Sequence, residues 1–316
     1  MSAMASLDSL TPLVCSSAAV HVTSDRIFRV QGDDAHSWLS GQITADIRGL
    51  KPGHAVYALC VTVKGRIVSD LWVIEQEGLH IVLPERCAED ALATLEKHII
   101  MEDVELVPVP ERCVVSVQGP LAREVVTDAG LQGVYAASRL CEAGLDAWLP
   151  RGDAEPLLKR LADAAQLRKG RVVDAADWGA LHVALAVPRA GIDFNGDAYP
   201  QEAGLKARAV AFNKGCYQGQ EVVYMLENRG QLSRRLVQLE GPEAALTVGA
   251  QLMDAEGKKV GQVTSAARKT DGQALALAYA KKPHWDTDVT LHTPEGVVRV
   301  THIVGSGSIV CPVIAT

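Results

Sequence analysis

The densest chemistry in this chain occupies eight consecutive positions, Lys214-Gly215-Cys216-Tyr217-Gln218-Gly219-Gln220-Glu221. The two glycines allow left-handed or closely approached backbone. A cation two residues from a thiol can lower the thiol pKa below its free value of about 8.5 and raise the thiolate fraction. Gln220 and Glu221 carry the amide and carboxylate that read a planar heterocycle through paired hydrogen bonds. The competing reading is a tight loop around a buried, inert cysteine, because free cysteine is among the most buried residue types. The glycines, the cation and the polar run favour a functional loop, with Cys216 and Lys214 at its reactive centre.

Charge gathers around the same stretch. From Leu205 to Arg235 the bases are Lys206, Arg208, Lys214, Arg229, Arg234 and Arg235, and the acids are Glu221 and Glu227, in a protein of net charge −7. Such a patch attracts an anionic ligand. A stretch of RNA would feel the same attraction, so the patch does not name its ligand. The acidic total argues against a general nucleic-acid binder.

The seven cysteines are widely spread, with no C-x-x-C pair and no His/Cys cluster at zinc spacing. The expectation is free thiols in a reducing cytoplasm and no metal or cluster held by this chain alone. The first twenty residues lack Lys and Arg and include Asp8 and Pro12, which excludes a secretory signal. No apolar run approaches the roughly 20 residues that a membrane-spanning helix needs.

The elements that must position the loop read as α+β. At 316 residues and 48% apolar content the chain has material for two domains. Arg26–Val30 is a short strand, and Asp33 offers an N-cap to a helix carrying Trp38 and Leu39. Residues 56–63, 66–75 and 79–83 form an antiparallel meander with its first turn at Lys64-Gly65. Apolar residues at Ala88, Ala91, Leu92, Leu95 and Ile99 predict a helix over 85–100 lying on that sheet. Further strands are expected at 113–117 and 145–149, and further helices at 121–129 and 154–167. Beyond about Gly230 the texture changes to short extended runs at 232–240, 250–253, 258–265, 274–280, 289–291 and 297–303, separated by turn signals. This predicts a small β-barrel or sandwich. The division is placed between residues 1–230 and 231–316.

The string K-G-C-Y-x-G-Q-E resembles the signature of YgfZ-type folate-binding proteins, relatives of the glycine-cleavage aminomethyltransferase that include mitochondrial iron–sulfur assembly factors. Other segments keep the same family order. They are Phe28–Ala35 with Trp38-Leu39, Gly41-Gln42-Ile43-Thr44-Ala45-Asp46, Lys64-Gly65-Arg66-Ile67, Gly191-Ile192-Asp193-Phe194 and Pro200-Gln201-Glu202-Ala203-Gly204-Leu205. The resemblance runs from about Arg26 to His302. It implies an α+β folate-binding portion followed by a C-terminal β-barrel. It also implies tetrahydrofolate or a derivative as ligand, its anionic tail drawn to the basic patch, and a role in assembling or repairing iron–sulfur enzymes, the client proteins being partners. The family's functional cysteine corresponds to Cys216, with Lys214 beside it. The ligand-contacting set expected from the loop and its surroundings is Gly215, Tyr217, Gly219, Gln220, Glu221, Glu202 and Arg229.

Two departures bear on mechanism. Transferases of the parent superfamily carry paired aspartates where this chain has Ser69 and Asp70, so Asp70 is the remaining candidate acid. Relatives show R-x-E-x-G where this chain has His182, Ala184 and Ala186 ahead of Pro188. Glu202 or Glu221 could then supply a pterin-reading carboxylate. The alternative activity is a folate-dependent aminomethyl or one-carbon transfer, in which Asp70 would manage the proton at the folate nitrogen. A third reading, Cys216 as the nucleophile of a thiol enzyme, needs a histidine partner that the sequence does not indicate.

Overall fold

Strand Ile67–Glu75 buries both faces, so it reads as a nearly continuous apolar run rather than a clean alternation. A computed structural model of the chain describes residues 5–307, with Arg229 described in its backbone alone. In it this strand is second in an antiparallel sheet ordered Ala55–Val61, Ile67–Glu75, Leu79–Leu83, Arg26–Gln31 and Glu105–Pro108. Helices Ala35–Gln42 and Glu85–Glu96 close one face around Trp38, Leu39, Leu71, Ile81, Ala88 and Leu95. The second helix stops short of the expected Ile100. Its end tightens into i to i+3 bonds, from His98 N–H to the Leu95 carbonyl and from Ile99 N–H to that of Glu96.

Asp34, not Asp33, takes the N-cap position of the first of these helices. Its carboxylate accepts from Asp103 N–H at 2.9 Å, while the Asp103 carboxylate accepts from Asp33 N–H at 3.1 Å. The acids expected to cap a helix therefore clamp two loops together.

A second sheet orders Arg171–Val172, Ala19–Val22, Arg112–Gln118, Leu145–Pro150 and Val134–Ala136. It is covered outside by helices Ala122–Asp128 and Ala154–Leu167. The inner faces of the two sheets meet through Ile27, Trp72, Ile74 and Val82 against Val114, Tyr135 and Trp148. Burial of this size, worth about 25 cal/mol per Å² of apolar surface, is what holds the layers together.

The extended runs of the C-terminal region form a closed barrel. Its order is Arg234–Pro242, Gln273–Lys281, Lys259–Arg268, Gln251–Met253, Thr290–Thr293 and Gly296–Ile303. The architecture is thus α+β with a six-stranded barrel, the class the sequence predicts. Helices Leu7–Ser16 and Ala175–Ala184 share a core that includes Ala267 of the barrel. Gln238 of the barrel donates from Nε2 to the carbonyls of Val183 and Ala184, at 2.7 and 3.1 Å, and so satisfies the end of that helix. Among the described residues no helix is long and apolar enough to cross a membrane. Cys60, Cys87, Cys113, Cys141 and Cys216 are free thiols, the first three of them buried and Cys216 exposed.

Candidate functional site

Two places bear the predicted site residues, and one hairpin joins them. Strands Ala55–Val61 and Ile67–Glu75 are linked by the Lys64-Gly65 turn, which Thr62 closes by donating its N–H to the Arg66 carbonyl and accepting from Gly65 N–H. The signature loop docks on this turn. Gln218 donates from Nε2 to the Val61 carbonyl at 2.8 Å, and its N–H goes to the Gly41 carbonyl at 3.0 Å. Tyr217 buries its ring with Leu59, Val61, Ile67 and Phe194. Gly219 adopts φ +74 and caps helix Gln220–Arg229. Glu221 stands exposed in the first turn of that helix beside half-buried Gln220, and the Arg229 side chain lies outside the described residues.

Lys214 turns inward. Its ammonium donates to three backbone carbonyls, Ser40 at 2.6 Å, Ile43 at 2.8 Å and Ala45 at 2.8 Å. All three N–H bonds are thereby used to tie the loop to the Gly41–Asp46 segment. Burial pulls its pKa down to about 8, against the nearby Asp46 charge, which raises it. Thr44 adds to the joint, donating from Oγ1 to the Ala209 carbonyl at 2.6 Å and accepting from Leu59 N–H at 2.9 Å. Cys216 and Gly215 lie beyond this anchor and are exposed. Separate motifs of the sequence thus fold into one joint, with a thiol presented on its outer side.

Asp70 sits farther along the hairpin and faces a different space. Burial raises its pKa to about 6. The Tyr57 hydroxyl donates to Oδ2 at 2.8 Å, while Oδ1 is buried without a hydrogen-bond partner. The carboxyl lines a cleft of about 150 Å³ together with His21, Asp25, Arg139, Trp178, His182 and Arg189. Arg139 pairs with Asp25 at 2.8 Å and with fully buried Asp146 at 2.7 Å. The Trp178 indole stacks on His21, with centroids 4.6 Å apart and planes at 14°, and meets His182 edge-on at 5.5 Å. His21 Nδ1 lies 3.1 Å from the Val173 carbonyl and His182 Nδ1 lies 3.0 Å from that of Val187. Each carbonyl can only accept, so it selects the Nδ1–H tautomer and leaves Nε2 as an acceptor. Burial lowers the pKa of both rings, that of His182 strongly, so both are neutral at pH 7. A buried carboxyl, two neutral imidazoles and the guanidiniums of Arg139 and Arg189 can hold a planar polar molecule against an aromatic wall.

The structure brings Lys214, Tyr217 and Gly219 together at the hairpin turn. It places Asp70 in the cleft and Cys216 outside the cleft lining. Glu202 is buried between Arg66 at 3.6 Å and Arg234 at 3.4 Å, and Oε1 accepts from the Ser233 hydroxyl at 3.4 Å. It bridges the hairpin to the first barrel strand and is not part of the cleft lining. The expected basic patch is largely committed as well. Lys206 pairs with Glu227 at 2.7 Å, Arg208 donates to the Ser138 carbonyl at 2.6 Å, and Arg235 lies over the Trp285 ring.

His21, Asp25, Arg139, Trp178 and Arg189 were not anticipated. Arg189 had a signal in its place between Pro188 and the Gly191–Phe194 motif. Arg139 had none, because Asp25 is distant in sequence and Asp146, seven residues on, is brought to it only by the turn into strand Leu145–Pro150. The cations sought at position 182 of the helix arrive instead from the segment that follows it and from a loop of the other sheet.

The GCVT N-terminal domain model matches residues 14–137. The tRNA-modifying protein YgfZ of Serratia proteamaculans is 30% identical over 268 residues, covering 77% of this chain and 78% of its own. The tRNA-modifying protein YgfZ of Yersinia enterocolitica is 26% identical over 266 residues, covering 78% and 79%. Among solved structures, the glycine cleavage system aminomethyltransferase T from Bartonella henselae superposes with a TM-score of 0.81 over 96% of this chain and 89% of its own, at 23% identity. That likeness is one of fold.

Proposed function

The chain belongs to the YgfZ family, and from that membership we propose that it binds tetrahydrofolate or a derivative and serves the assembly or repair of iron–sulfur enzymes in the cytoplasm. The observation that carries the ligand reading is the Asp70 carboxyl, buried in the cleft with Oδ1 unpartnered. A buried acceptor without a donor is costly, and the amino and ring N–H groups of a reduced pterin would satisfy it. Trp178 offers the flat apolar contact, while Arg139 and Arg189 offer donors to the pterin oxygen.

In this reading the exposed Cys216 acts outside the ligand cleft, on a client protein or cluster. Lys214, Tyr217 and Gly219 hold it in place, and Gly215, Gln220 and Glu221 flank it in the chain. Glu202 supports the same joint from the barrel side. We place the division between the folate-binding portion and the barrel at residues 230 and 231. The name of the relatives, tRNA-modifying protein, agrees with this reading if the clients include iron–sulfur enzymes that modify tRNA.

A folate-dependent aminomethyl transfer is the second reading, and the presence of an acid in the cleft favours it. A carboxyl with a pKa near 6 could exchange a proton with a folate nitrogen near neutral pH.

The test is an anaerobic calorimetric titration of tetrahydrofolate into the wild type, Asp70→Asn and Cys216→Ala. Wild type and Cys216→Ala should bind alike, with Asp70→Asn weaker by about tenfold. Absence of binding by wild type would remove the folate reading. Turnover of an aminomethyl donor would move the transferase reading to first place. The client role is tested by expressing Cys216→Ala in cells that lack the protein and assaying their iron–sulfur enzymes, which should stay impaired.

A further inference from the structure

A second cavity, of about 340 Å³, adjoins the cleft and shares Thr23, Ser24, Asp25 and Glu85 with it as a common wall. Its other side carries Arg26, Arg112 and Arg151. Charges on the common wall are already balanced, Asp25 by Arg139 at 2.8 Å and Glu85 by Arg26 at 4.0 Å. Arg26 is further held by Glu89.

The two remaining arginines are different. Arg151 donates from Nε to the Pro110 carbonyl at 2.9 Å and from Nη2 to the Arg112 carbonyl at 3.3 Å, which orients its guanidinium. Among the described residues no carboxylate lies within ion-pair distance of it. Arg112 lies over the Trp148 ring with its guanidinium carbon 5.6 Å from the centroid, and its nearest acid is the exposed Glu77 at 3.8 Å. The cavity therefore presents two positioned cations, Arg151 with no carboxylate partner among the described residues and Arg112 with one solvent-exposed partner, next to a cleft shaped for a planar head.

We propose that this cavity is the seat of the anionic tail of the ligand whose head occupies the Asp70 cleft, a chain of carboxylates such as an oligoglutamate, read by Arg112 and Arg151. The inference rests on the folate reading above and moves the tail away from the basic stretch at 205–235, whose cations are largely spent on internal contacts. A carboxylate chain crossing the shared wall would meet guanidiniums that can each take a carboxylate through paired N–H bonds.

The probes are 6-methyltetrahydropterin, which has no tail, and the mono- and triglutamates of tetrahydrofolate, each titrated into wild type and into Arg112→Gln/Arg151→Gln. The wild type should hold the triglutamate roughly tenfold tighter than the monoglutamate, with the advantage shrinking as salt rises. The double variant should lose that advantage and keep its affinity for the pterin. Equal dependence on tail length in both proteins would overturn the tail site and leave the folate reading standing. Failure of all three probes to bind wild type would overturn the folate reading and the tail site with it. Should the double variant not fold, Arg112→Gln alone decides, since its guanidinium makes no hydrogen bond among the described residues; it should lose part of the tail advantage, and an unchanged advantage would overturn the assignment.

Discussion

The backbone of Gly219 rests against that of Gly65. A β-carbon on Gly219 would stand 3.2 Å from the Gly65 α-carbon and 2.4 Å from the Thr62 carbonyl oxygen. With φ at +74 the position is also one that L side chains enter only under strain. Gly219→Ala should therefore destabilise the fold by about 2–3 kcal/mol, read from urea unfolding. A β-carbon on Gly215 would meet nothing within 4 Å, and Gly215→Ala should change stability by less than about 0.5 kcal/mol. Lost activity in the stable Gly215 variant would point to close approach by a partner.

Lys214 is buried on three carbonyls, so its removal should be felt in the fold. Lys214→Met is expected to cost about 3 kcal/mol, because it leaves buried acceptors without donors. Exposed Cys216 makes no such contribution, and Cys216→Ser should unfold within about 0.5 kcal/mol of wild type. Equal stability of wild type and Lys214→Met would mean that water replaces the ammonium at the joint.

Asp70 should make ligand affinity and stability depend on pH in the same window. Its pKa is raised in the folded protein to about 6 from an ordinary value of 3.8. The folded state thus holds the proton that the unfolded state has released between those values. The stabilisation is full below about pH 4 and is lost as pH rises through 6. Asp70→Asn should flatten that part of the stability curve, measured by thermal unfolding from pH 4 to 7. A ligand that donates to the carboxylate should bind wild type more weakly as pH falls through about 6, and Asp70→Asn should show no such fall.

Ala186 follows helix Ala175–Ala184 in a left-handed conformation, φ +52. Val187 N–H reaches the His182 carbonyl at 2.9 Å and Ala186 N–H reaches that of Val183 at 3.2 Å, the bond pattern that usually takes glycine at this position. Ala186→Gly should raise stability by about 0.5–1 kcal/mol, visible as a higher melting temperature. A lower melting temperature would show that the alanine methyl contributes more by packing than its backbone conformation costs.

Much of this architecture was legible in the order of residues. The meander at 55–83, the helix over 154–167 and the six barrel strands follow from local periodicity and turn residues, which act over a few positions. The Gly65 turn and the loop at Gly219 were visible as motifs for the same reason. The short strands Ala19–Val22 and Val134–Ala136 were not, because runs this brief carry little periodicity and are stabilised by their neighbours in the sheet.

The roles of the loop residues needed the tertiary structure. Sequence placed a cation two residues from a thiol, but only packing decides whether that cation faces the thiol or the backbone carbonyls of residues 40–45. Asp70 was singled out as an acid, yet whether it reached the cleft depended on which side of its strand faced it. Arg139, Asp25 and Asp146 form one ion-pair network from three separate segments, and no local pattern announces it. Sequence alone determined the family, the class of fold and the loop that carries the thiol, since these rest on short-range pattern. Burial, ion pairing and access to the cleft arise between residues far apart in the chain, so the folded structure alone decided which charges remain available to a ligand.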